Sequence, residues 1–216
     1  SRGLPRVPPP PPRPRLSAPM VLAALRRIEV ATPLVAMVGA QLAMVAVMTM
    51  TPLQLDHHGH GLDVVGWTLA AHMIGMFALA PLSGRIADRW GGRTTIHLGI
   101  GTLVLAAAAA APAHGPGLSF GLFLLGYGWN LVFVGGSSLL SRDLQPAERT
   151  QVQGVVDAVV WGSSALASLA AGALFGLGGY PLVTALGGLV ALAPIVLLAR
   201  GRQREADRGG AGGLHR

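Results

Sequence analysis

Apolar residues along the 216-residue chain gather into six runs separated by short connections. The runs cover Val30–Leu53, Val64–Ile86, Thr94–Ala113, Gly117–Leu140, Gln151–Leu177 and Pro181–Ala199. Each reaches or approaches the roughly 20 residues that carry a helix across a hydrocarbon core about 30 Å thick. Some hold Gly or Pro inside, which membrane helices tolerate better than soluble ones. The pattern predicts an all-α integral membrane protein with six transmembrane helices over residues 30–199. Connections this short predict that successive helices are antiparallel neighbours. Ahead of them, residues 1–29 form a basic, Pro-rich segment. Its run Pro8 to Pro12 favours an extended, solvated chain. A basic linker is the simple reading of that run, and a ligand for an SH3-type domain is the sharper one. Met20 to Glu29 mixes apolar residues with Arg26 and Arg27, as a short interfacial helix would. No secretory signal peptide is expected, because no apolar core with a small-residue cleavage site follows the first charges.

Polar residues inside the runs fall into stripes. On the fifth helix Gln153, Asp157, Trp161, Ser164 and Ser168 recur at three- and four-residue steps, which is one helical face. Tyr127, Asn130, Ser137 or Ser138, and Ser141 do the same on the fourth, and Thr68, His72, Met76 and Ser83 on the second. The first offers Gln41, with Met44 and Met48 below it. The third and sixth have no such stripe. Polar groups in hydrocarbon are costly and tend to face protein or a water-filled cavity. Helices one, two, four and five are therefore expected to line a pathway, with three and six supporting them. The competing reading is that Ser and Thr bond their own backbones and the stripes serve helix packing.

Asp157 is the acidic residue set clearly inside an apolar run, about 12 Å along its helix from Arg149 at roughly 1.5 Å per residue. At that depth desolvation favours the neutral acid, so Asp157 is a candidate proton carrier. A hydrogen bond to a neighbouring helix is the structural alternative. His72 reads either as part of the pathway or as a neutral packing histidine. Gly154, Ala158 and Gly162 form a stripe of small residues that predicts close helix approach.

Composition fits this picture. Hydrophobic residues make up 51% of the chain and charged residues only 12%, about half the roughly 25% usual in soluble domains. Mean hydropathy is +0.55. An ordinary soluble globule is excluded on that ground. The absence of cysteine excludes a disulfide framework, a thiolate metal site and a cysteine nucleophile. The net charge is +7, and all 16 basic residues are arginine. They precede the first helix, flank the second and fourth connections, and follow the last helix. Positive-inside bias then places both termini in the cytoplasm, as an even number of helices requires, with residues 200–216 as a basic tail. So placed, the arginines point to a lipid surface, and no nucleic-acid partner is expected. Abundant Ala, Gly, Arg and Pro suggest a bacterial cell membrane.

Two further chemistries have candidate residues in the sequence. Asp56, His57, His58 and His60 could bind a transition metal, but histidines in a loop are more often solvated, and no metal site or cofactor is expected. An intramembrane serine protease would need Ser137, in Gly135-Gly136-Ser137, to meet His72. These two lie at opposite depths, so no enzyme is expected.

The connection between helices two and three reads Gly84-Arg85-Ile86-Ala87-Asp88-Arg89-Trp90-Gly91-Gly92-Arg93. It resembles the signature loop of the major facilitator superfamily, G-x-x-x-D-R/K-x-G-R-R/K, matching at Gly84, Asp88, Arg89, Gly91 and Arg93, with Gly92 where an arginine is usual. Gly84 would permit close helix approach, and Asp88 would sit against a helix N-terminus. Met48 to Leu53, Gly126 to Asn130, and Pro146 to Arg149 running into Gln153-Gly154 also resemble the second half of bacterial members. Val156 stands where a polar residue would be expected before the aspartate. The resemblance implies the C-terminal six-helix half of a twelve-helix transporter, built from two inverted three-helix repeats, with substrate held between the halves. It implies secondary active transport of a small molecule by alternating access, with protons as the candidate coupling ion. The candidate pathway residues are Asp157, Gln153, Trp161, Asn130, His72 and Gln41. The partners expected are the bilayer, a small-molecule substrate, and either a missing N-terminal half or a second copy. The opening Ser1 and a first methionine at Met20 suggest a fragment or a truncated reading frame. The alternative is a membrane scaffold or remnant that keeps the helices without transporting.

Overall fold

A computed structural model describes residues 17–112 and 115–195. The proline run and the tail 200–216 lie outside the described residues. Among the described residues seven helical segments follow one another: α1 (Ala18–Arg26), α2 (Ile28–His57), α3 (Leu62–Phe77), α4 (Ala80–Trp90), α5 (Gly92–Ala110), α6 (Pro116–Asp143) and α7 (Pro146–Leu192). The expected short helix before the first span is α1, which ends where Arg27 turns extended, at ψ 137°.

Two boundaries depart from the apolar runs. The second run breaks at Ala78–Leu79, between α3 and α4. Pro81, in the first turn of α4, has no N–H to give the preceding turn, so the ladder cannot run through. α4 then continues to Trp90, so most of the presumed signature loop is helix. The turn itself is Gly91, whose φ of 83° suits glycine at a helix C-terminus. The fifth and sixth runs are both in α7, which reverses at Gly178 and Gly179, the latter at φ 66°. Neighbours on α2 demonstrate the reversal. Gln41 bonds Ser164, Thr51 bonds Tyr180 further along, and Gly39 then approaches the Val190 carbonyl. α2 therefore runs parallel to the first arm of α7 and antiparallel to the second. Six spans result.

Successive spans are not always the main neighbours, contrary to expectation. α2 packs chiefly on α7 and α6, and hardly on α3. α6 is gripped by α5 on one side and α3 on the other. Glycine makes this possible. Gly92, Gly99, Gly121, Gly128 and Gly135 fall at seven-residue steps, which keeps each set on one face. A Cβ on Gly99 would lie 2.8 Å from the Gly128 carbonyl oxygen, and one on Gly135 would lie 2.7 Å from that of Gly92. Gly75 and Gly126 press in the same way on the carbonyls of Phe123 and His72. Gly84, Gly154 and Gly162 have nothing within 4 Å of their would-be Cβ. Among the described residues, then, the expected close approach at Gly84 and along Gly154 to Gly162 does not occur.

The contacts also sort the ends of the bundle. Arg27 bonds Glu148, and Trp90 to Arg93 share a pocket with Arg142 and Asp143. The described arginines thus gather at one end. His57 meets Phe175 and His60 approaches Gly115 at the other.

Candidate functional site

Gln41, on α2, is fully buried and bonded at both ends of its amide. Its Nε2 donates to Ser164 Oγ at 2.8 Å, and its Oε1 accepts from the Trp129 indole N–H at 2.7 Å. A buried amide costs little when both its donor and its acceptor side are used. α6 and α7 touch each other little, and Gln41 joins them across α2. Above it lie three rings. Phe133 stacks on Trp129 with centroids 5.0 Å apart, and Trp161 tilts against Trp129 at 6.0 Å. Trp129 is buried, whereas Trp161 is 52% exposed.

One turn before Trp161, half-buried Asp157 accepts a hydrogen bond from Gln153 Nε2 at 3.1 Å. Its second oxygen has no partner among the described residues, and no described arginine reaches it. At about 100° per residue the exposed Val159, Leu166 and Leu177 point roughly opposite to Asp157. Val152, Val156 and Val160 form the buried face. The first arm of α7 therefore has three distinct sides: one packed, one leucine-rich, and one that carries Gln153, Asp157, Trp161 and Ser164.

The structure puts Gln153, Asp157 and Trp161 on this side of α7, with Gln41 buried and bonded to Ser164, but places His72 and Asn130 elsewhere. His72 Nδ1 donates to the Leu122 carbonyl at 3.0 Å, which leaves its buried Nε2 without a partner. Thr68 and Ser119 share a hydrogen bond at 2.8 Å. Asn130 accepts from Ser83 at 2.5 Å and donates to the Met76 carbonyl at 2.7 Å, beside the α3–α4 break. These contacts form a seam that fastens α3 and α4 to α6. Here the packing reading of the polar stripe describes the geometry.

Asp88 is exposed and forms no hydrogen bond or ion pair among the described residues. With Gly84, Phe133, Ser137 and Ser141 it lines a groove of about 450 Å³. No backbone N–H of a helix N-terminus among the described residues donates to it. Arg85 and Arg89 are exposed on α4 as well. Arg93 and Asp143 line the pocket beside the Gly91 turn. At the same end, Glu148 caps α7 through the Gln145 N–H and accepts from Arg27 at 2.7 Å. The Arg27 hydrogen bond holds the Glu148 carboxyl below its usual range. His58 Nδ1 bonds the Gln54 carbonyl, and no group of three His, Cys, Asp or Glu forms a metal site among the described residues. Ser137 lies fifteen residues beyond Leu122 on α6, about 22 Å from His72 at 1.5 Å per residue.

The sequence reading missed Trp129, because it stands one position before Asn130 and about 100° off the polar stripe of its helix. The signal was its four-residue spacing from Phe133, which puts two aromatic rings on one face.

The sequence pattern of the Major Facilitator Superfamily matches residues 32–213. Similar curated proteins include two from Bacillus subtilis (strain 168). The uncharacterized MFS-type transporter YddS is 42% identical, over 66% of this chain and 33% of its own length. The uncharacterized MFS-type transporter YdeG is 37% identical, over 77% and 40%. The riboflavin transporter RfnT of Brucella anthropi is 32% identical, over 76% and 42%. The chain spans about a third to two fifths of the length of these relatives.

Proposed function

The chain belongs to the Major Facilitator Superfamily, and on that premise we propose that it forms one six-helix wall of a secondary transporter for a small organic solute. The observation that carries this is the side of α7 with Gln153, Asp157 and Trp161, which is backed by buried Gln41 and Trp129 and turned away from the leucine side. Such a face is costly against lipid and useful against a solute path. A second six-helix unit, from the same protein or another copy, closes the path from the other side. The solute moves by alternating access, with the two units rocking about the site, and Asp157 exchanges a proton as each side opens. His72 and Asn130 keep α3, α4 and α6 together as these units move. The relatives named as transporters support a role in transport over one in catalysis.

The test is uptake into proteoliposomes with and without a pH gradient. Riboflavin, the solute in the name of one relative, is the first to assay. Absence of both uptake and exchange for every solute tried would leave a scaffold. We also place the arginine end of the bundle in the cytoplasm, with residues 1–29 and 200–216 on that side. Cysteine at His58 is expected to react with an impermeant thiol reagent from outside intact cells, and cysteine at Arg89 is not. The reverse labelling would invert the orientation.

The open groove at Asp88 supports a role in the transport cycle. Its charge has no partner among the described residues, so it is available to a helix end of the second unit in one state of the cycle. Asp88→Asn is expected to lower the uptake rate about tenfold, the effect of one conformation-dependent contact of roughly 1.4 kcal/mol. Membrane insertion should be unaffected, as measured by quantitative blotting of the membrane fraction. Unchanged uptake would reduce the segment to a turn.

A further inference from the structure

We propose that the ring wall on α6 and α7 binds a planar, uncharged aromatic solute, stacked on the open face of Trp161 with Ser164 at its polar edge. This rests on the transport reading and adds the substrate class. The wall is built as a platform. Trp129 is fixed by its bond to Gln41, with Phe133 stacked on one side and Trp161 tilted against it. Of the three, Trp161 keeps most of its ring open, at 52% exposure. Aromatic rings prefer offset stacked or edge-to-face partners, and a second flat ring satisfies both the open face and the tilt. Ser164 Oγ accepts from Gln41 and retains its own hydroxyl proton to donate to a solute carbonyl or ring nitrogen. Every group in the wall is neutral. Asp157 lies one turn away and is partly engaged by Gln153. This composition favours an uncharged ring over an organic cation, which would need Asp157 for its charge.

Indole fluorescence tests the proposal, using the protein with both six-helix units in detergent micelles. Trp67→Phe and Trp90→Phe remove the two exposed indoles outside the site. Lumichrome, acridone and caffeine serve as uncharged planar probes, sorbitol as a non-aromatic control and tetraphenylphosphonium as a cation. Saturable quenching by at least one planar probe, and none by sorbitol, is the expected result. Trp161→Ala should weaken that binding roughly tenfold, the scale of one lost stacking contact, while Trp161→Phe keeps it within about threefold. Unchanged thermal unfolding of both variants would show that the loss belongs to the ring. Failure of all three planar probes overturns the proposal. So does equal affinity in Trp161→Ala, or tighter binding of tetraphenylphosphonium than of any planar probe. Flux in proteoliposomes separates the two readings. Transport that is indifferent to Trp161→Ala removes the aromatic class and leaves the transporter. Saturable lumichrome binding with no flux of any solute keeps the site and removes the transport role.

Discussion

Asp157→Asn in the reconstituted transporter is expected to abolish solute accumulation driven by a pH gradient and to leave solute exchange largely intact. The substitution keeps the shape of the side chain and an oxygen for Gln153 Nε2. It replaces the ionisable oxygen with a neutral amide nitrogen and so removes the charge and the ability to carry a proton. Asp157 is half-buried and no described arginine approaches it, so no ion pair among the described residues is broken. The effect on folding should stay within about 1 kcal/mol, as for substitutions that neither bury an unpaired group nor open a cavity. Exchange does not need net proton movement, so it should continue and lose its pH dependence. Parallel measurements of gradient-driven uptake and counterflow decide the matter. Accumulation at the wild-type level in the variant would eliminate the coupling role and leave Asp157 as a packing group. Recovery of function when a charge is swapped between Asp157 and the second unit would instead identify a salt-bridge partner there.

Gly99→Val is expected to destabilise the bundle strongly, and Gly154→Val scarcely at all. A Cβ at Gly99 would lie 2.7 Å from Val132 Cγ2 and 2.8 Å from the Gly128 carbonyl oxygen. The side chain of Val132 could shift, but the backbone of α6 could not do so without losing its register against α5. Overpacking of this kind costs about 1–3 kcal/mol even where neighbours yield, and a branched side chain against backbone should reach the upper part of that range. At Gly154 nothing lies within 4 Å, so the same substitution meets open space, with an expected effect of about 0.5 kcal/mol. Thermal unfolding in detergent, followed by loss of monodisperse protein, compares the two. Equal losses would contradict the assigned α5–α6 contact. A large loss at Gly154 alone would mean that its stripe is the packed one.

The spans were legible in the sequence because hydrocarbon thickness dictates their length. Their partners were not, because hydropathy fixes how long a helix is and not which way its faces turn. α2 lies against α7, remote in sequence, and that pairing is fixed by Gln41, Ser164, Thr51 and Tyr180 together. None of the four announces a partner alone. Both glycine patterns were visible. The four-residue stripe Gly154 to Gly162 drew attention, yet the seven-residue steps of α5 and α6 make the contacts. Local spacing cannot tell a face that meets a helix of this unit from one that meets something else. The same limit explains the polar stripes. Buried Thr68, His72 and Asn130 had to find partners, and the neighbouring backbone and hydroxyls supplied them. Gln41 carried similar polarity and was buried between Ser164 and Trp129, whereas Asp157 stayed half-buried on the side of α7 that carries Trp161. The Pro81 break was not legible from the proline alone, since α2 runs on through Pro33 and Pro52 whereas the chain breaks before Pro81.

The reversal in α7 also bears on how the chain enters a bilayer. Between its two arms stand only Gly178 and Gly179, and no charged residue occurs from Ser164 to Pro194. A hydrophilic loop must be hauled through the hydrocarbon before the next helix can return, and here there is none to haul. The two arms can leave the insertion machinery as one hairpin, with the turn crossing first and Tyr180 seated against Thr51 as soon as it arrives. Biogenesis of this pair thereby depends little on any electrical pull across the membrane. An epitope tag placed between Gly178 and Gly179 would restore the missing cargo and make the hairpin the slowest part of the protein to assemble.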